Sequence, residues 1–256
     1  MGKLAEAIKA KKQGSYSFEA MYVEQSLNKL FHSKDRLEEV RAGMHASAII
    51  AADSHFCYRE MVLSMNFQMG QGEELPTRLL KIFAAGNSIH EKWQTMLERE
   101  LKANNEERAY SEEHRLYFTP DVKVRLGNKR RYIGEIKSMN MFSFKGAEGH
   151  PSGEKQCMMY MHMTGIPYGF VLAENKNDQT IRIFYLEYDY KKVLPFLERM
   201  NQVGVYMQEF EEDGFLPDRR CTGPLQKRAE ACAMKDACFE CGMGRVPLEE
   251  INETSK

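Results

Sequence analysis

Two carboxylates and an ammonium lie within a short stretch of this chain. Asp121 closes an extended segment at Thr119-Pro120-Asp121, and Gly134-Glu135-Ile136-Lys137 follows after a short hairpin. Side chains alternate along a strand, so Glu135 and Lys137 share one face while Ile136 turns into the core. With Asp121 beside them, all three charges converge on a small volume. Carboxylate oxygens are hard ligands suited to Mg²⁺ or Mn²⁺. The lysine can orient an attacking water or stabilise charge developing on a phosphorus centre. Upstream, His90 stands in Gly86-Asn87-Ser88-Ile89-His90-Glu91-Lys92-Trp93-Gln94. It is either a structural helix residue or the completion of a metal shell with Asp121 and Glu135, the Ile136 carbonyl adding an oxygen. Downstream, Gln156 and Tyr160 stand four residues apart and share a helix face. They are a polar edge above Met158, Met159, Met161 and Met163, or they fix the carboxylate site or a DNA strand.

Cysteines form a second group. Cys57 lies in Ser54-His55-Phe56-Cys57-Tyr58-Arg59, and Cys221, Cys232, Cys238 and Cys241 crowd the tail. Cys157, next to Gln156, reads as a small core residue. In a reducing compartment six cysteines are not expected to form disulfides, which leaves thiols to bind metal. Four thiolates suit an iron–sulfur cluster or a structural Zn²⁺.

Several elements must position these residues. The chain reads as helical from Leu4 to about Phe67, with polar breaks near Gly14-Ser15 and His32-Ser33. A second helical block runs from about Pro76 to Asn104, with Gly86 in a turn-rich start and Ile89, Trp93, Met96 and Leu97 on one face. Strands are expected at 115–118, 122–126 and 131–136, with Gly127-Asn128 as the hairpin turn. Residues 144–153 read as a mobile loop. A methionine-rich helix over 155–164, strands over 169–173 and 180–188, and a helix over 190–210 follow, then an irregular tail from Leu216. The order implies an α/β core with a helical lead-in.

Composition limits the function classes. At 256 residues and a formal net charge of −1, the chain has no indiscriminate electrostatic grip on nucleic acid. Local cations at Lys123, Arg125, Lys129, Arg130 and Arg131 are either a solvated hairpin or phosphate contacts. Met1 to Gln13 lacks the apolar centre of a signal peptide, and no run of about twenty apolar residues spans a membrane. A cytoplasmic location is expected, that of the host if the chain is phage-encoded. No Gly-rich Walker loop is present, so ATP-driven unwinding is not encoded.

The ordered set Gly86-x-x-x-His90-x-x-x-Gln94, Pro120-Asp121, Glu135-x-Lys137 and Gln156-x-x-x-Tyr160 resembles the RecB-type branch of the PD-(D/E)XK nucleases, over roughly residues 45–240. The resemblance implies a metal-dependent phosphodiesterase whose core is a central mixed sheet flanked by helices. In it His90, Asp121, Glu135 and the Ile136 carbonyl bind the ion, Lys137 serves the nucleophilic water, and Gln156 and Tyr160 position the site and the DNA. One distant cysteine plus a C-terminal group also resembles the iron–sulfur RecB-like nucleases, among them the CRISPR-adaptation exonucleases and AddB-type subunits. In those a [4Fe–4S] cluster staples the two ends of the chain around the core, closing a long loop.

This tail departs from the family's usual Cys-x-x-Cys-x-x-x-x-x-Cys. The 232–238 spacing matches its last pair, with Cys57 and Cys221 completing the set; Cys57, Cys232, Cys238 and Cys241 is the rival set. The expected organisation is a helical region over 1–110, a nuclease core over 111–215 and a cluster segment over 216–256, integrated as one domain. The expected activity is a Mg²⁺- or Mn²⁺-dependent deoxyribonuclease, an exonuclease on single strands or DNA ends, with a recombination, replication or CRISPR-type protein partner. The competing class is a non-catalytic module on the same fold that binds DNA ends or a partner.

Overall fold

The computed structural model describes residues 43–66, 77–127 and 129–240, together with Val23. Two compact units divide the chain: one holds Met1–Leu37 and Glu73–Ala85, the other Glu38–Gly72 and Gly86–Lys256. The described part of the first is Val23 and residues 77–85. Apart from residues 77–85, every described residue discussed below belongs to the second. Most of the expected helix over 4–67, with the breaks near Gly14 and His32, lies outside the described residues.

The second unit begins with strand β1 (Met44–His45), a helical turn α1 (Ala46–Ile49) and helix α2 (Tyr58–Asn66). The expected helical stretch, read with breaks only near Gly14-Ser15 and His32-Ser33, is therefore interrupted again over 50–57. Turns at 50–55 separate α1 from α2, and His55 and Phe56 both donate backbone N–H groups to the Ala52 carbonyl. Helix α3 (Thr77–Leu101) matches the second helical block, but Gly86 lies in its interior rather than in a turn. Apolar spacing carries the helix through that glycine, since its helix penalty is only about 1 kcal/mol.

Strands β2 (Asn104–Asn105), β3 (Ala109–Ser111) and β4 (Leu116–Phe118) follow, then β5 (Val122–Arg125) and β6 (Arg131–Met139). The turn between β5 and β6 is where the sequence puts it. Lys129 N donates to the Leu126 carbonyl (2.8 Å) and Leu126 N to the Arg130 carbonyl (3.1 Å). The 144–153 segment is not one loop. Helix α4 (Met141–Lys145) occupies its start, and α5 (Pro151–Thr164) begins four residues before the expected 155. Pro151 at the first helical position and His150 as N-cap explain that early start. Strands β7 (Tyr168–Asn175) and β8 (Ile181–Glu187) and helix α6 (Tyr190–Asp213) complete the core. Two short helices, α7 (Lys227–Glu230) and α8 (Lys235–Glu240), order a tail that reads as irregular.

Among the described residues there are two mixed sheets, β1-β4-β3 and β2-β5-β6-β7-β8. In the larger, β6 pairs antiparallel with β5 and parallel with β7, and β7 pairs antiparallel with β8. Helices cover both faces. Ile136 and Leu172 pack with Ile89, Trp93 and Leu97 of α3. Ile133 and Val171 pack with Cys157, Met158 and Met161 of α5, beneath Val193, Leu197 and Met200 of α6. Each such buried side chain contributes about 1.5–3 kcal/mol. A parallel β6–β7 pair needs a crossover connection, and α4 and α5 supply it. No described helix is long and apolar enough to cross a membrane.

Candidate active site

Register sets the site. Val122 pairs with Gly134, which brings Asp121 alongside Glu135. Asp121 Oδ2 accepts a hydrogen bond from Ile136 N at 2.7 Å, locking the carboxylate across the hairpin. Ile136 points to α3 while Glu135 and Lys137 point to α5, as strand alternation requires. Lys137 Nζ donates to Glu135 Oε1 at 2.5 Å and to Gln156 Oε1 at 3.3 Å. Gln156 Nε2 in turn donates to the Tyr160 hydroxyl at 2.8 Å. His90 Nδ1 lies 3.6 Å from Asp121 Oδ2. Thus Asp121, Glu135, Lys137, Gln156, Tyr160 and His90 are brought together.

Their exposure is uneven, with 27% of the His90 side chain and 22% of Lys137 open to solvent. Glu135 is fully buried, and its Oε2 has no hydrogen-bond partner. Its carboxyl is pushed up to about 8, first by burial and next by the Asp121 charge, against the lowering pull of Lys137. Burial, and then the Glu135 charge, hold the Tyr160 phenol well above its ordinary range, so it stays protonated. The His150 imidazole is held low by burial and by Lys137, which keeps Nδ1 free to accept Gly153 N at 3.1 Å as the α5 cap.

Gln94 has a position that the sequence motif includes without assigning it a task. It is buried, four residues after His90 on the same face of α3. Its Nε2 donates to the Asp121 backbone carbonyl (3.2 Å) and to Glu106 Oε1 (3.0 Å). The same i, i+4 spacing that groups His90 with Gln94 is the signal for it. Glu174 carries no such local signal. It is buried on β7 and accepts from Trp93 Nε1 at 2.5 Å and Lys92 Nζ at 2.7 Å, pinning α3 to the sheet. Gly153 marks where α5 crosses β6. A Cβ there would meet His150 Nδ1 at 3.0 Å, Val171 Cγ1 at 3.1 Å and Lys137 Cγ at 3.2 Å.

Cys57, Cys221, Cys232 and Cys238 line one cavity of about 520 Å³, together with Arg220, Lys227, Arg228 and Lys235. None of these four thiols is in a disulfide. Burial raises the Cys232 and Cys238 thiols above their ordinary range. Arginines dock the tail on the segment before α2. Arg220 donates to the Phe56 carbonyl (2.5 Å), Arg228 to the carbonyls of Ser54, His55 and Phe56, and Arg59 to those of Pro217 and Cys238. Cys157 stands apart beneath β6 and β7. Cys241 lies outside the described residues. Among the described residues no group of three or more His, Cys, Asp or Glu side chains is gathered closely enough to hold a metal ion as it stands.

No protein-family model matches the chain, and no curated protein matches it. Among solved structures it is similar to SSO0001, with 14% identity over 74% of this chain and 88% of that one and a TM-score of 0.46. It is similar to LHK-Exo in complex with dAMP, with 14% identity over 69% of this chain and 93% of that one and a TM-score of 0.48. It is also similar to an alkaline exonuclease (LHK-Exo) from Laribacter hongkongensis, with 15% identity over 70% of this chain, 92% of that one and a TM-score of 0.45.

Proposed function

We propose that the chain is a metal-dependent deoxyribonuclease acting on single strands or DNA ends, with Asp121, Glu135 and Lys137 as its centre. One observation carries the reading: the fully buried Glu135 keeps an unpartnered oxygen next to a second carboxylate, a repulsive arrangement that a divalent cation relieves. The donor set is hard oxygen, which fits Mg²⁺ or Mn²⁺. Asp121 and Glu135 would hold the ion, with His90 and the Ile136 carbonyl as further ligands. Once bound, the ion supplies positive charge to a phosphodiester and acidifies water at the attacking position. Lys137 orients that water and offsets charge on the phosphorus centre. Gln156 fixes Lys137, and the protonated Tyr160 fixes Gln156.

For the tail, the reading is a structural [4Fe–4S] cluster on Cys57, Cys221, Cys232 and Cys238. Four unpaired thiols on one cavity with four cationic side chains support an anionic polythiolate group. A structural Zn²⁺ on the same thiolates is the rival reading, since a tetrahedral set of four sulfurs suits it equally.

The test is cleavage of end-labelled linear and circular single-stranded DNA in Mn²⁺, beside Lys137→Ala, with iron, sulfide and zinc measured on protein purified without oxygen. Expected are loss of cleavage in Lys137→Ala by at least about 10²-fold and iron with sulfide in the wild type. A wild type that fails to cut with any divalent metal leaves the non-catalytic binding module, and cleavage that neither chelator nor Lys137→Ala reduces rejects this metal-dependent centre. Stoichiometric zinc without sulfide rejects the cluster.

A further inference from the structure

Strand β6 ends two residues after Lys137, and helix α4 follows it with Phe142, which is 86% exposed. A five-residue helix does not hold itself in water. This one is anchored from all sides. The Asn140 side chain caps it by accepting from Ser143 N at 2.9 Å, and Asn177 Oδ1 accepts from Met141 N at 3.2 Å. Lys176 N donates to the Met139 carbonyl at 2.8 Å. At the far end Arg182 donates to the carbonyls of Ala147 (2.7 Å) and Lys145 (3.2 Å), with its guanidinium stacked 4.9 Å from the buried Phe144 ring. All of these contacts fix the backbone over 139–147. None of them covers Phe142.

The surroundings point to an anionic strand. Lys145, one turn beyond Phe142, and Lys176, at the base of the helix, are both exposed. The neighbouring Asp178 is exposed as well, its Oδ1 engaged in a local turn by accepting from Thr180 N and Oγ1 at 3.0 and 2.6 Å. Five residues of backbone span at most about 18 Å, so Phe142 stands within a few nucleotides of Lys137 along a strand that rises about 3.4 Å or more per nucleotide.

We infer that Phe142 stacks on a base of the DNA strand whose phosphate occupies the Asp121–Glu135–Lys137 site, with Lys145 and Lys176 meeting the adjoining phosphates. This rests on the nuclease reading above. Stacking accepts any base, because each has a π-face, and it acts on a single strand or a frayed end whose bases are unpaired.

The experiment measures binding of a short fluorescent single strand in chelator, where a metal-dependent enzyme does not cut, and cleavage of the same strand in Mn²⁺. Phe142→Ala is expected to bind about 5- to 150-fold more weakly at an unchanged melting temperature, and Phe142→Trp to bind as the wild type does. One abasic substitution in the strand should weaken wild-type binding to the same extent and have no further effect on Phe142→Ala. Wild-type affinity in Phe142→Ala, or Phe142→Trp as weak as Phe142→Ala, overturns the stacking role while normal wild-type cleavage keeps the nuclease reading. A wild type that neither binds nor cuts DNA overturns both.

Discussion

The carboxylate site and the cysteine cavity are assembled on different principles. At the first, sheet register does the positioning. Neighbouring strands place Asp121 against Ile136 N, and the α5 crossing delivers Gln156 and Tyr160 to Lys137, so the side chains touch directly. At the second, the cysteines come from segments far apart in the chain, and docking of the tail by Arg59, Arg220 and Arg228, with burial of Leu216 and Met234 in the core, brings them to one cavity. The first site is closely contacted yet electrostatically unfavourable, with Glu135 Oε2 left unpartnered; the second is tolerable in charge yet open in geometry. Strain in the first is a matter of like charge, whereas the second presents four thiols on one cavity with no disulfide among them.

Glu135→Gln tests that contrast most severely. An amide keeps the shape and removes the charge facing Asp121. Cleavage should fall by about 10²-fold or more, whereas metal-free stability above about pH 8, where Glu135 ionises against Asp121, should exceed that of the wild type. The sign with pH follows from the raised carboxyl. Between its ordinary 4.5 and about 8 the folded protein holds a proton that the unfolded chain has released. The contribution is therefore full below about pH 4.5 and is lost as pH rises through 8. Chemical denaturation in chelator should show that slope in the wild type and not in Glu135→Gln. A variant that is less stable at pH 8 breaks the account of the site as a charge conflict.

Cys232→Ala probes the other side of the comparison. Removing one thiol should abolish bound iron and sulfide and lower stability by about 2–4 kcal/mol, the range for a link closing a long loop. Limited proteolysis should then cut near the tail first. Retained cofactor at wild-type level would show that Cys232 is not among its ligands.

The two regions also differ in how legible they are from sequence. Asp121, Glu135 and Lys137 can be read because strand alternation and one hairpin turn suffice to bring them together, and the observed β5–β6 pairing follows that pattern. Strand β6 runs three residues past the expected 136 because parallel pairing with β7 continues to Met139. That pairing is long-range and leaves no local trace. Gly86 misleads, since one glycine does not end a helix that packs Ile89, Trp93 and Leu97 against the sheet. The 144–153 stretch misleads as well: its Gly and Pro are caps and connectors around α4 and α5. Strands β1, β2 and β3 are only two or three residues long and escape a period-two pattern. The arginine–carbonyl docking of the tail joins residues more than 150 positions apart, and no spacing rule anticipates it.

Gly153→Ala should act on the first region alone. Alanine favours the helix by about 1 kcal/mol, but its Cβ at 3.0–3.2 Å from three neighbours must displace one by a few tenths of an ångström. Lys137 Cγ is among them, so cleavage should fall about tenfold with little change in melting temperature and none in cofactor content. Unchanged cleavage would mean that Lys137 tolerates movement and that the register does not fix it as tightly as its hydrogen bonds indicate.

Cys157 gives the smallest effect and the sharpest division between the regions. It is a cysteine by type, but its neighbours are those of the carboxylate site. Its thiol faces the Ile133 and Phe170 carbonyls at 3.5 and 3.8 Å, and burial, followed by the Glu135 charge, drives its pKa far above the ordinary thiol range. A thiol so disfavoured as thiolate is a poor metal ligand and a poor nucleophile. What remains is volume, in a gap where β7 passes so close that a Cβ on Gly169 would sit 2.7 Å from Cys157 Sγ. Cys157→Ala should therefore lower stability by about 1 kcal/mol, measured by denaturant titration, and leave iron, sulfide and cleavage unchanged. Loss of cofactor in this variant would join the two regions and undo the separation between them.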